Sequence, residues 1–166
     1  MSFLRKQESK GMMKDRLVRF IATGFYSGYS PLVPGTVGSV PAWLIAFFLI
    51  GDNTPVLAVV TVVTFCVSVW SAGKIEQTLG HDAKKIVIDE WAGMFLALLL
   101  VPYSFSNYLI AFLAFRAFDV IKLPPAAQAE KLPGGWGVTM DDVVAGIQAN
   151  VVTQLVIIAI GRFSTG

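Results

Sequence analysis

A chain of 166 residues is long enough for one domain with a core and too short for two. Of its residues 55% are hydrophobic and 14% charged, against about 25% charged in an ordinary soluble domain, so a bilayer accommodates its apolar side chains better than water does. A formal charge of +2, with no basic run interleaved with aromatics, excludes a nucleic-acid surface, and a single cysteine, Cys66, excludes intrachain disulfides and thiolate metal sites.

Residues 1–14 are polar and aperiodic and are expected to form a disordered tail, leaving 15–166 as one helical membrane domain. The basic start from Arg5 to Arg19 leads into glycine-rich sequence with no small-residue cleavage site, so no signal peptide is evident. Asp15–Tyr26 reads as a short interfacial helix, followed by a Gly/Pro-rich loop over Ser27–Ser39.

Five apolar runs follow: Val40–Gly51, Pro55–Gly73, Ile86–Val101, Asn107–Ile121 and Val143–Gly161. A membrane-spanning helix needs about 20 residues, and Pro55–Gly73 and Val143–Gly161 meet that best. Helix is the expected state because backbone polar groups must be satisfied internally in hydrocarbon. Cys66 lies in the second run and reads as a buried, inert thiol. A second loop, rich in Pro and Gly, runs from Leu123 to Thr139. The expected architecture is all-α, a bundle of about five apolar helices plus the N-terminal interfacial helix.

Threading the runs alternately across a bilayer brings both Gly/Pro loops to one face. The acids Asp89, Glu90, Asp119, Asp141 and Asp142 fall on that face, with Lys74, Lys84, Lys85, Lys122 and Lys131. The opposite loops, Gly51–Pro55 and Pro102–Ser106, carry no Lys or Arg, so the positive-inside rule makes the acidic face cytoplasmic.

Each acidic motif has a structural and a functional reading. Asp89 and Glu90 either mark a water-exposed helix start or, with a helix beginning at Asp82, lie two turns inside it as functional acids. Arg116, Asp119 and Lys122, spaced i, i+3, i+6, form either a salt-bridged ladder or a wall placing Asp119 on a metal and the cations on a phosphate. Thr139 with Asp142 resembles a capping box, which leaves Asp141 and the preceding Gly134-Gly-Trp-Gly unexplained; such backbone before a helix can bind an anion. Ser30, Thr36 and Ser39 supply hydroxyls in the first loop, and His81 reads as a solvated loop histidine. Carboxylates gathered near a phosphate repel it, and a hard dication such as Mg²⁺ resolves the conflict.

The motifs Ser30-Pro-Leu-Val-Pro-Gly-Thr-Val-Gly-Ser39, Ile88-Asp-Glu-Trp-Ala-Gly-Met94, Phe115-Arg-Ala-Phe-Asp-Val-Ile-Lys122 and Gly134-Gly-Trp-Gly-Val-Thr-Met-Asp-Asp-Val-Val-Ala-Gly146 resemble the phosphatidylglycerophosphatase A family, over roughly residues 17–160. The resemblance implies an all-helical, Mg²⁺-dependent phosphatase of the bacterial inner membrane that converts phosphatidylglycerophosphate to phosphatidylglycerol. It implies Asp89, Glu90, Asp141 and Asp142 as catalytic acids, with Asp119 joining them as metal ligands. It also implies Thr36, Ser39, Arg116 and Lys122 as phosphate contacts. The expected partner is a phospholipid substrate; no protein partner is evident, and a homo-oligomer is compatible with the sequence. Competing readings are a phosphatase of another or soluble ester, and a non-enzymatic ion-binding membrane module.

Overall fold

The computed structural model describes residues 16, 18–30, 34–79 and 86–164, and every regular element among them is helical. The expected tail, Asp15, His81, Asp82, Lys84 and Lys85 lie outside the described residues. Helical backbone at 18–22 leads through turns into a 3₁₀ turn at Ser27–Tyr29.

Helix α1 spans Pro34–Leu44 and continues as a π-helical stretch, Ile45–Ile50. It therefore begins six residues before the Val40 start expected from hydropathy. Proline is tolerated in a first turn, where its missing N–H has no partner to lose, so Pro34 opens the helix instead of ending the loop. Pro41 removes a donor inside α1, and the wider π turns begin four residues later. Helix α2 spans Thr54–Leu79, α3 Ile88–Leu98, α4 Phe105–Ile121, α5 the single turn Ala126–Ala129, and α6 Gly135–Ser164.

Two of these, Thr54–Ile75 within α2 and Gly135–Arg162 within α6, are long and apolar enough to cross a membrane, and no more than a third of either is buried. Gly35–Ile50 is apolar but shorter. The Ile86–Val101 run yields an α3 of only 11 residues, about 16 Å against the roughly 30 Å of a hydrocarbon core. Backbone leaves the helix at Leu99, Leu100 takes a left-handed φ of 62°, and Pro102 follows. Cys66, expected to be buried, is exposed on α2. In a chain whose exterior is itself apolar, a hydrophobic neighbourhood does not imply an interior position.

Short as it is, α3 is the centre of the bundle. It packs on α6, α2 and α1, and all of its residues except Leu96 are buried. Its crossing with α6 runs through two glycines. A Cβ on Gly93 would come within 2.6 Å of the Asp142 carbonyl, and one on Gly146 within 2.5 Å of the Gly93 carbonyl. Only residues without side chains let the two backbones approach so closely. Asn150, on α6, closes the other end of α3: its Nδ2 donates to the carbonyls of Leu96, Ala97 and Leu99 at 3.3, 3.1 and 2.6 Å.

At the Gly51 end an aromatic cluster ties α1 to α4. Trp43 stacks on Phe47 at 5.3 Å, and Phe47 contacts Tyr103, Phe105 and Tyr108 at 5.2–5.9 Å. The polar atoms of this cluster are used: Trp43 Nε1 donates to the Tyr108 carbonyl at 2.8 Å, Tyr103 Oη to that of Phe47 at 3.1 Å, and Tyr108 Oη to that of Gly51 at 3.3 Å.

Candidate active site

Parts of four helices meet at the opposite end of the bundle and bring the acidic motifs together. The five crossing spans assumed in the threading are not found among the described residues: two helices are long and apolar enough to cross a membrane. The first turns of α1 carry Thr36 and Ser39, the start of α3 carries Asp89 and Glu90, the last turns of α4 carry Arg116 and Asp119 with Lys122 as its C-cap, and the second turn of α6 carries Asp141 and Asp142. Asp89 and Glu90 stand in the first turn of α3, not two turns inside, because the helix begins at Ile88. There the helix dipole favours their charge. Lys122 takes the left-handed C-cap position of α4, where a cation is favoured.

Arg116 is the hub of one half of the site. Its Nη1 donates to Glu90 Oε2 at 3.0 Å and to Ser39 Oγ at 3.1 Å, and it is ion-paired with Asp119 Oδ2 at 3.0 Å. Ser39 is fully buried, and its hydroxyl lies 2.8 Å from both Glu90 Oε2 and the Gly35 carbonyl. In this structure Ser39 holds the Glu90–Arg116 pair in place. Gly35 makes the room, since a Cβ there would lie 2.5 Å from Glu90 Oε1 and 2.7 Å from Arg116 Nη2. Thr36 stands in the first turn of the same helix, half-buried. Trp91 pins α3 to α1 beside the pair by donating Nε1 to the Gly38 carbonyl at 2.8 Å. The Nε of Arg116 is buried and has no hydrogen-bond partner, which leaves a guanidinium donor unused.

Lys122 anchors the other half. Its Nζ donates to Asp141 Oδ2 at 2.8 Å and to Glu130 Oε1 at 2.7 Å. Burial disfavours the ammonium, but these two bonds outweigh it and hold the lysine above its usual pKa. Glu130 was not singled out from the sequence. It is eight residues from Lys122 across a turn, a separation that no helical or strand periodicity marks.

Between the halves lie the acids without a cation. Asp89 and Asp142 are buried and carry no salt bridge among the described residues. Asp142 lies within hydrogen-bonding reach of the Asp119 carboxyl, with Asp89 and Asp141 as further neighbouring charges. Two carboxyl groups in such contact need a proton or a cation between them. Thr139, expected to cap α6, is instead fully buried inside it and bonds Ser68 of α2 at 2.7 Å, because the helix starts at Gly135. The Gly134-Gly-Trp-Gly stretch is thus mostly helix and not a free anion-binding loop.

With Asp89, Glu90, Asp119, Asp141 and Asp142 all ionised, five negative charges face the two positive charges of Arg116 and Lys122. Among the described residues, no three Asp, Glu, His or Cys side chains converge into a ready-made metal cage. That does not disqualify Mg²⁺ as a fit. Mg²⁺ commonly uses one or two carboxylates and completes its shell with water and phosphate oxygens, and the Asp119–Asp142 contact offers such a hard-oxygen pair.

The described residues thus form an all-helical bundle with two helices apolar enough to cross a membrane and with acids, an arginine and a lysine gathered at one end. The chain matches the family described as Phosphatidylglycerophosphatase A over residues 20–157, and it belongs to that family. It is 35% identical to Phosphatidylglycerophosphatase A of Escherichia coli over 149 residues, 83% of this chain and 85% of that one. The corresponding Haemophilus influenzae protein is 34% identical over 139 residues, covering 81% and 85%. A Bacteroides thetaiotaomicron protein, provisionally named as a phosphatidylinositol-3-phosphatase, is 37% identical over 155 residues, covering 88% and 94%. No solved structure matches the chain. Family membership makes the protein an enzyme, a phosphoric monoester hydrolase of phospholipid metabolism.

Proposed function

We propose that the protein hydrolyses the terminal phosphomonoester of phosphatidylglycerophosphate, giving phosphatidylglycerol and inorganic phosphate, in a Mg²⁺-dependent reaction at the cytoplasmic face of the bacterial inner membrane. The observation that carries this reading is the surplus of buried acid beside two cations. Asp89 and Asp142 have no cation of their own among the described residues, and Asp119 shares Arg116 with Glu90.

In this arrangement Asp119 and Asp142 would hold Mg²⁺, with Asp89, Glu90 and Asp141 at its margin. Mg²⁺, when bound, would supply positive charge for the phosphate oxygens and acidify a water. Arg116 adds positive charge beside the phosphate, and Glu90 and Ser39 fix the plane of its guanidinium. Lys122 neutralises Asp141 and adds positive charge at the entrance. Thr36, on the first turn of α1, is the remaining candidate phosphate contact.

A multi-pass topology with the site facing the cytoplasm is supported by the two spanning helices and by the lack of Lys and Arg in the loops at the Gly51 end. The Bacteroides relative favours a second reading, a phosphomonoester on an inositol lipid headgroup.

Purified protein should release phosphate from phosphatidylglycerophosphate with Mg²⁺ and stop with EDTA. Phosphatidylinositol 3-phosphate, assayed in parallel, decides between the two headgroups. Full turnover in EDTA would remove the metal from the proposal.

A further inference from the structure

Helices α1 and α4 run antiparallel from the site toward the aromatic end. They are joined at the top by the Ser39–Arg116 bond and lower down by the Trp43–Tyr108 bond. From just below the first fastening to just past the second runs an open groove of about 260 Å³ lined by Val40, Trp43, Leu44, Phe105, Leu109 and Phe112. Every lining side chain is apolar apart from the Trp43 indole N–H, which the Tyr108 carbonyl already occupies.

Two features distinguish this groove from the rest of the apolar exterior. First, Phe105, Leu109 and Phe112 share one face of α4 with Arg116, at spacings of four, three and four residues. The groove floor therefore leads directly to the guanidinium. Second, from Arg116 to Phe105 is eleven residues of helix, about 16 Å, close to the roughly 15 Å of hydrocarbon in one leaflet. An open, wholly apolar trough that runs along the helix toward the site has the shape and chemistry of a seat for an extended hydrocarbon chain. Its wall is also fixed, since Trp43 is held by its hydrogen bond and packs edge-on against Phe105 at 5.7 Å.

We propose that this groove seats one acyl chain of the substrate, so that the enzyme selects a membrane lipid by its tail as well as by its phosphate. The idea rests on the lipid phosphatase reading above. The groove aligns the lipid so that its phosphate arrives at Arg116 without leaving the headgroup layer.

A diacyl phosphatidylglycerophosphate carrying a photoactivatable diazirine in one acyl chain tests this on the full-length protein in detergent micelles. Adducts should concentrate on residues 40–44 and 105–112, and be sparse at Val62 and Leu113, which are more exposed but lie outside the groove. Leu44→Trp and Leu109→Trp, each made alone, should lower groove labelling. They should also raise KM for the diacyl substrate about tenfold, the loss of one or two methylenes' worth of burial, with kcat retained. The deacylated, water-soluble headgroup ester should be hydrolysed by both variants as by the unmodified protein, and Leu113→Trp should change neither substrate. Adducts spread evenly over exposed apolar positions, or equal KM changes for both substrates, would overturn the groove. Labelling needs only binding, so its result stands even if the unmodified protein hydrolyses neither ester, an outcome that would sink the phosphatase reading alone.

Discussion

At the Gly51 end of the bundle, Trp43, Phe47, Tyr103, Phe105 and Tyr108 fill space with rings, and the indole and both phenols donate to backbone carbonyls. At the other end, Asp89, Glu90, Asp119, Asp141 and Asp142 are crowded around two cations, with Asp119 and Asp142 as close neighbours. The first region is arranged for stability. The second holds like charges in a poorly solvated place, which costs stability, and an arrangement that costs stability is expected where it serves a reaction. Substitutions at the two ends should therefore separate folding from turnover.

The sharpest separation is expected at the unpaired acids. Asp89→Asn and Asp142→Asn should each lower phosphate release by about a hundredfold or more, the scale of removing a metal or transition-state contact. Their melting temperatures should be unchanged or higher, because repulsion is relieved. A variant that is both inactive and unstable would make these acids structural.

Next in size is the glycine crossing. Gly93→Val should destabilise the protein by about 3 kcal/mol, measured by thermal unfolding, because its side chain meets the Asp142 carbonyl and the Phe115 ring. Gly161→Ala, whose Cβ would meet nothing within 4 Å, should be nearly silent and is the control.

At the aromatic end, Trp43→Phe leaves the Tyr108 carbonyl without its indole donor and should cost about 1–2 kcal/mol while phosphate release from a water-soluble headgroup ester persists. Equal loss of activity and stability there would erase the contrast between the two ends. The smallest effect is expected at Glu130→Gln. The Lys122–Glu130 pair is substantially exposed, at 34% and 54% for the two side chains, so solvent screening should hold the change below about 1 kcal/mol. Lys122 keeps Asp141 as a partner, and activity should fall less than about twofold.

Much of the site could be read from the chain because each motif lies at the end of an apolar run, and threading such runs leaves few ways to place their ends. The Glu90–Arg116 and Lys122–Asp141 pairs confirm that the motifs converge. Helix starts were less legible. Pro34 and Gly135 look like loop residues in isolation, yet the first turn of a helix accepts proline, and Gly135 is required where α6 presses on the α2 backbone at Val69 and Gly73. Misplacing these starts also misplaced Thr139 as a cap. Hydropathy could not show that Cys66 is exposed while Phe95 and Met94 are buried, because all three lie in similar apolar sequence. Nor could it show that the third run stops after three turns.

That early stop bears on what a bilayer permits. A helix ending in hydrocarbon would ordinarily leave its last carbonyls without donors, at several kcal/mol each. Asn150 supplies one amide to three of them, and Gln154 in turn donates to its carbonyl oxygen at 2.7 Å. A polar side chain in the middle of an apolar span thus takes the part water plays elsewhere. It lets a short helix finish inside the bundle, with its opposite, electropositive end turned toward the acids.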